Sequence, residues 1–449
     1  MYPLRYTVIL LLLAPAVSYG AGFQLFEHSA SSIATAGTNQ AEAKDASSIF
    51  WNPASLPLLE DNSAVGALHL LLPTGELDII SANTTIGSVP TGGNNGGGPG
   101  SLTPVASLYY ASKLSPDASY GLSLTAPFGL GARYDDGWQG RYHSLESELI
   151  NVDFGLSGAY RVTPYVSLGL GLDVQYARGV FASAIDLSTV CLATSAVVPG
   201  LLAQCAASGF DTPGNASADG KARVTGDSWA PGWNAGVMWN PSPTLRVGFA
   251  YRSKVTHDLN GDAKITKPAN LPSTVAALPA LSNSGMTSTL VLPASASVST
   301  YAQATDKIGL MASAIWVHWS SLSEIRTQYA NGASDTIIPL QWNNTWRVGG
   351  GVLYRVSPSL TFRGGLAYDQ SPTTSPSLQT LFIPDGDRWV AGLGANIVLK
   401  NKSTIDVGYT VYKFDSVEIE SNSLAAGTFQ GRFPHSSIHG LSIQYNMRL

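Results

Sequence analysis

The sequence predicts an all-β transmembrane barrel of about 14 antiparallel strands with a partly helical N-terminal hatch plugging the lumen. Three observations carry this. Charged residues make up only 12% of the 449-residue chain, while 19 tyrosines, 10 tryptophans and 46 glycines stand out; an ordinary soluble domain carries about twice that share of charge. Apolar and polar residues alternate with period two through many segments of about ten residues or more, too long and too many for a soluble sandwich. Short turns alternate with long irregular segments, the asymmetry of a barrel with tight periplasmic turns and long outer loops.

The alternation is clearest in Val166, Leu168, Leu170, Leu172, Val174 and Tyr176, whose interleaved partners Ser167, Gly169, Gly171, Asp173 and Gln175 are small or polar. An apolar outer face suits lipid and a polar inner face suits a wet lumen. The pattern recurs at Leu245/Val247/Phe249/Tyr251, from Trp389 to Leu399, at Ile405/Val407/Tyr409/Val411, and from Leu441 to Leu449. Tight turns fall at Leu114–Asp117, Val162–Pro164, Asn240–Pro243, Val356–Pro358 and Lys400–Lys402. The long segments are roughly 75–102, 131–147, 181–227, 259–287, 325–340, 371–386 and 417–433. An even strand count returns both ends of the barrel to the periplasmic side. The scattered tryptophans are expected in interfacial belts.

The N-terminus reads as a secretory signal: Arg5, an apolar core from Val8 to Ala16 too short to cross a bilayer, and small residues at Ser18 and Gly20. Residues 1–20 are expected to be removed before Ala21. Residues 21–60 alternate poorly and form the expected hatch, with Asp45 as a helix N-cap before Ala46–Phe50; residues 61–449 form the barrel. A barrel of this size is too wide for side chains to fill, which gives such a segment its place. Export permits one disulfide between Cys191 and Cys205, whose spacing fits no zinc pattern. Segments 181–227 and 264–284 are too apolar for solvated loops and read as short amphipathic helices at the outer mouth, where an exposed apolar patch marks a binding surface. The Gly92–Gly98 run lacks the strand–helix context of a phosphate loop. Net charge is −5 with no basic block, so nucleic acid is not an expected partner. His435 and His439 do not converge on a strand, so no metal is expected. Asp387 and Arg388 read as a lumen ion pair.

Ala21-Gly-Phe-Gln-Leu25, followed by Ala41 to Ala54, resembles the hatch of the FadL-type outer-membrane fatty-acid and hydrocarbon transporters, with Asn52, Pro53 and Ala54 as its signature. Gly155–Arg161, Gly232–Gly236, Trp319-Ser320 and Ile383–Trp389 are similar to the family in the same order, from the mature start to the final strand. The resemblance implies a monomeric, cofactor-free, non-enzymatic barrel in the outer membrane of a Gram-negative bacterium. Its partners would be a hydrophobic ligand and the surrounding lipid. It implies a low-affinity groove between outer loops 181–227 and 259–287, a tighter pocket beside the hatch N-terminus lined by Phe23 and Leu25, and an inward kink in the third strand, placed at Pro127, Phe128 and Gly129. Proline and glycine there weaken ladder pairing.

The ligand implied first is a long-chain fatty acid, and the alternative is an aromatic hydrocarbon or other neutral compound. A carboxylate needs a cation, and arginine offers a bidentate fork. Arg326 falls where the family carries a basic residue; a second basic residue is missing near Ser183, and Arg178 is its expected substitute. A general porin is disfavoured by the plug. Gly226-Asp-Ser228 is similar to an esterase nucleophile motif but runs on into a strand. The expected mature chain begins at Ala21, and intact mass spectrometry of the protein isolated from membranes checks this; a chain still beginning at Met1 refutes it.

Overall fold

The computed structural model describes residues 22–97 and 100–449; the expected signal segment 1–20 lies outside them. Nineteen strand segments join in one antiparallel sheet. Five barrel strands are each built from two segments, so the wall has 14 strands. In chain order they are β1 (Ser63–Gly75), β2 (Thr103–Lys113), β3 (Ala118–Thr125 and Gly129–Arg133), β4 (Glu146–Thr163), β5 (Val166–Ile185), β6 (Gly220–Ser242) and β7 (Leu245–Arg252 and Val255–Thr266). They continue with β8 (Ser284–Leu292 and Ser295–Gln303), β9 (Ile308–Val317 and Glu324–Tyr329), β10 (Thr336–Pro339 and Thr345–Ser357), β11 (Leu360–Asp369), β12 (Arg388–Val398), β13 (Thr404–Phe414) and β14 (Ser436–Arg448). The sheet closes where β1 pairs with β14, Ser63 opposite Arg448 and Gly75 opposite Ser436. Closure pairs the first strand with the last, as a lipid-exposed sheet requires.

The two faces follow the period-two pattern. On β5, Leu168 and Leu172 are 47% and 61% exposed while Ser167, Asp173 and Gln175 are buried. An apolar row so exposed around a whole barrel is a lipid face. Trp229, Trp233, Trp346 and Trp389 lie exposed toward the loop end, and Tyr160, Tyr165, Trp239 and Tyr445 toward the turn end; amphipathic rings settle at the two interfaces.

The strands run further outward than the sequence suggested. β5 reaches Ile185 and β6 starts at Gly220, so the outer loop there is 186–219, and the next one is 267–283. Segments read as irregular also hold strands: Asp78–Asn83, Val417–Ser423 and Gly427–Phe433 form a separate three-stranded sheet above the barrel. These strands are only six or seven residues long and bury one face, with Ile419, Phe429 and Phe433 in an apolar cluster of the outer mouth. The outer helices α3 (Leu187–Ser195) and α4 (Leu201–Ala207) are joined by a Cys191–Cys205 disulfide, a closure worth about 3 kcal/mol for a loop of this length.

Inside the wall sit α1 (Ala30–Ala34), capped by the Ser29 hydroxyl, α2 (Ser48–Trp51), and a 3-10 turn over Pro53–Leu58. Asp45 does not cap α2, which starts two residues later than expected; its carboxylate instead accepts from the Ser47 amide (2.9 Å) and hydroxyl (2.6 Å). The contact between plug and wall mixes apolar patches, such as Ile49, Phe50 and Leu56 against Val65 and Tyr109, with buried polar links. Arg363 pairs with Glu42 at 2.6 Å, Gln444 donates to Asp45 at 2.9 Å, and the Asn52 amide donates to the carbonyls of Val237 and Phe249. Arg347 donates to the Ala36 carbonyl (3.0 Å) and lies 4.0 Å over the Phe26 ring, a cation–π contact of about 1–2 kcal/mol when desolvated. Arg388 pairs with Asp369 at 2.7 Å rather than with Asp387, which accepts from Tyr368 and the Ser371 amide.

Two wall glycines let α1 approach backbone to backbone. A Cβ on Gly365 would lie 2.2 Å from the Thr35 carbonyl oxygen, and one on Gly392 would lie 2.2 Å from that of Ile33. Gly392→Val is therefore expected to unseat the hatch while leaving the ladder intact. Planar-bilayer recording should show a steady conductance several-fold above wild type; an unchanged conductance refutes this account of hatch seating.

Candidate transport site

The site begins at a break in the wall. β3 stops at Thr125 and resumes at Gly129, and its second segment pairs only with β4. Ala126-Pro127-Phe128 interrupts the ladder because proline brings no amide donor. β2 pairs with β3 no further than Leu108 opposite Leu124, so residues 103–107 of β2 have no ladder partner on that side. The hatch N-terminus takes up part of the freed hydrogen bonding. The Leu25 amide donates to the Pro127 carbonyl and the Gly129 amide to the Phe23 carbonyl, both at 2.9 Å. A single antiparallel bridge, Gln24 opposite Phe128, thus patches the broken wall strand.

Phe23 and Leu25 point to opposite sides of this patch. Leu25 packs with Leu71, Val105 and Ala126 on the β1–β3 side. Phe23 is 1% exposed and packs edge-on against Trp319, 5.0 Å between centroids, and against Phe128 at 5.9 Å. Gly22 precedes it at φ +66°, and a Cβ there would meet the Trp319 ring at 2.5 Å, so only glycine fits. Above Phe23 lies a small, mostly apolar cavity walled by Leu149, Phe181, Leu259, Met286, Leu290 and Ile325, with Ser288 and Thr327 among its lining and Glu148 at its edge. Val224 lines both this cavity and a much wider outer groove. That groove lies between α3 and the stretch Leu278–Ser282, with Phe382 on its floor against Phe181 at 5.2 Å.

The cavity exists because the alternation changes sides. Along the lower part of β7, Val247, Phe249 and Tyr251 face lipid. Ser253 and Lys254 then interrupt the strand, and beyond them Val255 and Leu259, of the same odd parity, are buried inside. β8 flips at Pro293-Ala294, turning Met286, Ser288, Leu290 and Leu292 inward. Bulges commonly re-aim side chains at functional sites in this way.

The two expected head-group arginines do not reach the cavity. Ile325 and Thr327 line it, so strict alternation places Arg326 on the outer face. There it binds Glu324 at 2.8 Å and Asp335 at 3.0 Å. Arg178 likewise falls between the inward-facing Ala177 and Gly179 and binds Glu148, an edge residue of the cavity, at 3.1 Å. Among the described residues no lysine or arginine lines the cavity or the groove. His143 on the groove wall supplies no charge at neutral pH, because burial pushes its imidazole down to about 4. The arginines buried deeper in the lumen are held by carboxylates: Arg252 by Asp153 and Asp173, Arg347 and Arg388 by Asp369. Asn52, Pro53 and Ala54 lie at the base of the plug, where the Asn52 side chain accepts from the Ala54 amide and holds the wall. The Ser228 hydroxyl donates to the neighbouring Trp229 carbonyl at 3.4 Å. Groups of His, Cys, Asp and Glu able to hold a metal are absent among the described residues.

A closed lipid-faced barrel, plugged by its own N-terminal segment and carrying two apolar cavities in series, is an outer-membrane transporter of hydrophobic compounds. A profile of the family described as "Outer membrane protein transport protein (OMPP1/FadL/TodX)" matches residues 11–449, and the chain belongs to that family. It is 28% identical to Outer membrane protein P1 of Haemophilus influenzae over 97% of both chains, and 27% identical to a Long-chain fatty acid transport protein of Escherichia coli over 92% of both. The crystal structure of a Pseudomonas aeruginosa FadL homologue aligns at a TM-score of 0.83 and 25% identity, covering 95% of this chain and 100% of that one. The Ralstonia pickettii toluene transporter TbuX aligns at 0.64 and 21% identity over 95% of this chain and 100% of that one, a likeness of fold. The family is one of transport proteins.

The placement of these side chains gives opposite expectations for two substitutions. Phe23→Ala removes a wall of the cavity and is expected to weaken ligand binding about tenfold, with a packing loss of about 3–5 kcal/mol in the hatch N-terminus. Arg326→Ala is expected to leave affinity unchanged. Titration of the purified protein with a fluorescent acyl ligand checks both, and a large loss in Arg326→Ala would return that residue to the site.

Proposed function

We propose that the protein takes up long-chain fatty acids across the outer membrane by capture in the outer groove, transfer to the Phe23 cavity and lateral release into lipid. Residues 21–60 act as the hatch and 61–449 as the conduit, with residues 1–20 removed on export. The observation that carries this reading is the direct bonding of the cavity-lining Phe23 segment to the broken strand β3. Ligand that displaces Phe23 acts on the same backbone that patches the wall at Pro127–Gly129. A poorly soluble acyl chain gains by leaving sideways into the bilayer rather than through water. Affinity that is modest at each station permits release, as in any conduit. No step of the route is catalytic and none needs a cofactor. The working unit in this reading is a single barrel.

A second reading, uptake of neutral aromatic hydrocarbons, is favoured by the lack of a cation on the lining. Competition between oleic acid and toluene for the purified protein, read by mass spectrometry of retained ligand, separates the two. Retention of the fatty acid is expected; retention of toluene with the fatty acid excluded refutes the first reading.

A further inference from the structure

The cavity has a small polar corner that neither its packing nor its place in the wall explains. Ser288 and Thr327 stand directly opposite each other across β8 and β9, both facing inward and both 7% exposed. The Ser288 hydroxyl has no hydrogen-bond partner. On the adjoining ladder Leu259 is opposite Ser288 and His257 is opposite Leu290. His257 is buried behind this pair, with its ring beside the Ser228 backbone. Buried polar groups left unpaired are costly and rare, and the Ser288 hydroxyl faces a mostly apolar space with Glu148 at its edge. Neutral hydroxyls both donate and accept, so they suit a group that does the same. A carboxylate buried here would lose its hydration with no cation to replace it, since the lining carries none.

We propose that this corner reads the head of an aliphatic ligand in uncharged form, a primary alcohol or a protonated acid, and that Ser288 and Thr327 are the specificity-determining pair. This rests on the reading of the Phe23 cavity as the deep binding site. An acid is then bound with its proton on, its oxygen accepting from one hydroxyl while its own O–H donates to the other. Ionisation in bulk water competes with binding, and affinity for the acid falls as pH rises through the carboxyl's titration. An alcohol of the same length shows no such dependence.

The test measures binding of oleyl alcohol, oleic acid and hexadecane to the full-length protein in detergent, at mildly acidic and mildly alkaline pH. The alcohol is expected to bind about tenfold more tightly than the acid at the alkaline pH and about equally at the acidic one. Ser288→Ala combined with Thr327→Val should weaken alcohol binding about tenfold and leave hexadecane unchanged, which also shows the variant folded. Leu290→Trp, which fills the cavity, should abolish binding of all three. Equal binding of acid and alcohol at alkaline pH, or an alcohol affinity indifferent to the double substitution, overturns the head-group proposal alone. Hexadecane binding that survives Leu290→Trp overturns the cavity reading and this proposal with it.

Discussion

A strand inside a bilayer must have its backbone amides and carbonyls paired, because hydrocarbon offers them nothing. This constraint fixes the closed 14-strand ladder, and it also fixes what happens where the ladder fails. Pro127 breaks β3, and two of the groups this frees are bonded by Phe23 and Leu25 of the hatch. The stretch Phe23–Leu25 therefore belongs to the wall as much as to the lumen. The same three residues present Phe23 to the ligand cavity on one side and Leu25 to the β1–β3 seam on the other. Cavity, plug and wall defect are one hydrogen-bonded unit.

The rest of the plug is held differently. Its contact with the wall combines ion pairs, amide bonds and several glycine-backed close approaches with separate apolar patches, rather than one continuous apolar core. Buried ion pairs give little net stability over the hydrated groups, since desolvation offsets most of the attraction. A plug seated this way keeps a defined register while remaining able to part from the wall into a wet lumen. A plug seated by an apolar core would lose far more on release.

Much of the fold was legible because lipid imposes a two-residue period on the wall. Val166 to Tyr176 alone shows both faces, and tight turns with long loops fix the orientation. The extra sheet above the barrel was missed because its strands are short: Gly427–Phe433 alternates, but over seven residues between loop-like stretches. The site was legible only in part. The motif around Phe23 and the proline break in β3 are local, and both could be placed from the sequence. The arginines were misplaced by one position of alternation: Arg326 is flanked by Ile325 and Thr327, and those two line the cavity. Leu259 and Leu290 escaped notice because the apolar register runs unbroken past Tyr251. The two-residue interruptions at Ser253-Lys254 and Pro293-Ala294 exchange lipid face for lumen face, and nothing in the pattern of hydrophobicity marks the exchange.

The patch between Leu25 and Pro127 has a thermodynamic corollary. Two equilibria that share a bond are linked, and linkage runs in both directions. If occupancy of the cavity biases the seam between β2 and β3, then lateral pressure on that seam biases occupancy by the same free energy. The lipids pressing on the barrel at this height thereby act as an allosteric effector, and the affinity of the transporter becomes a property of its membrane as well as of its sequence.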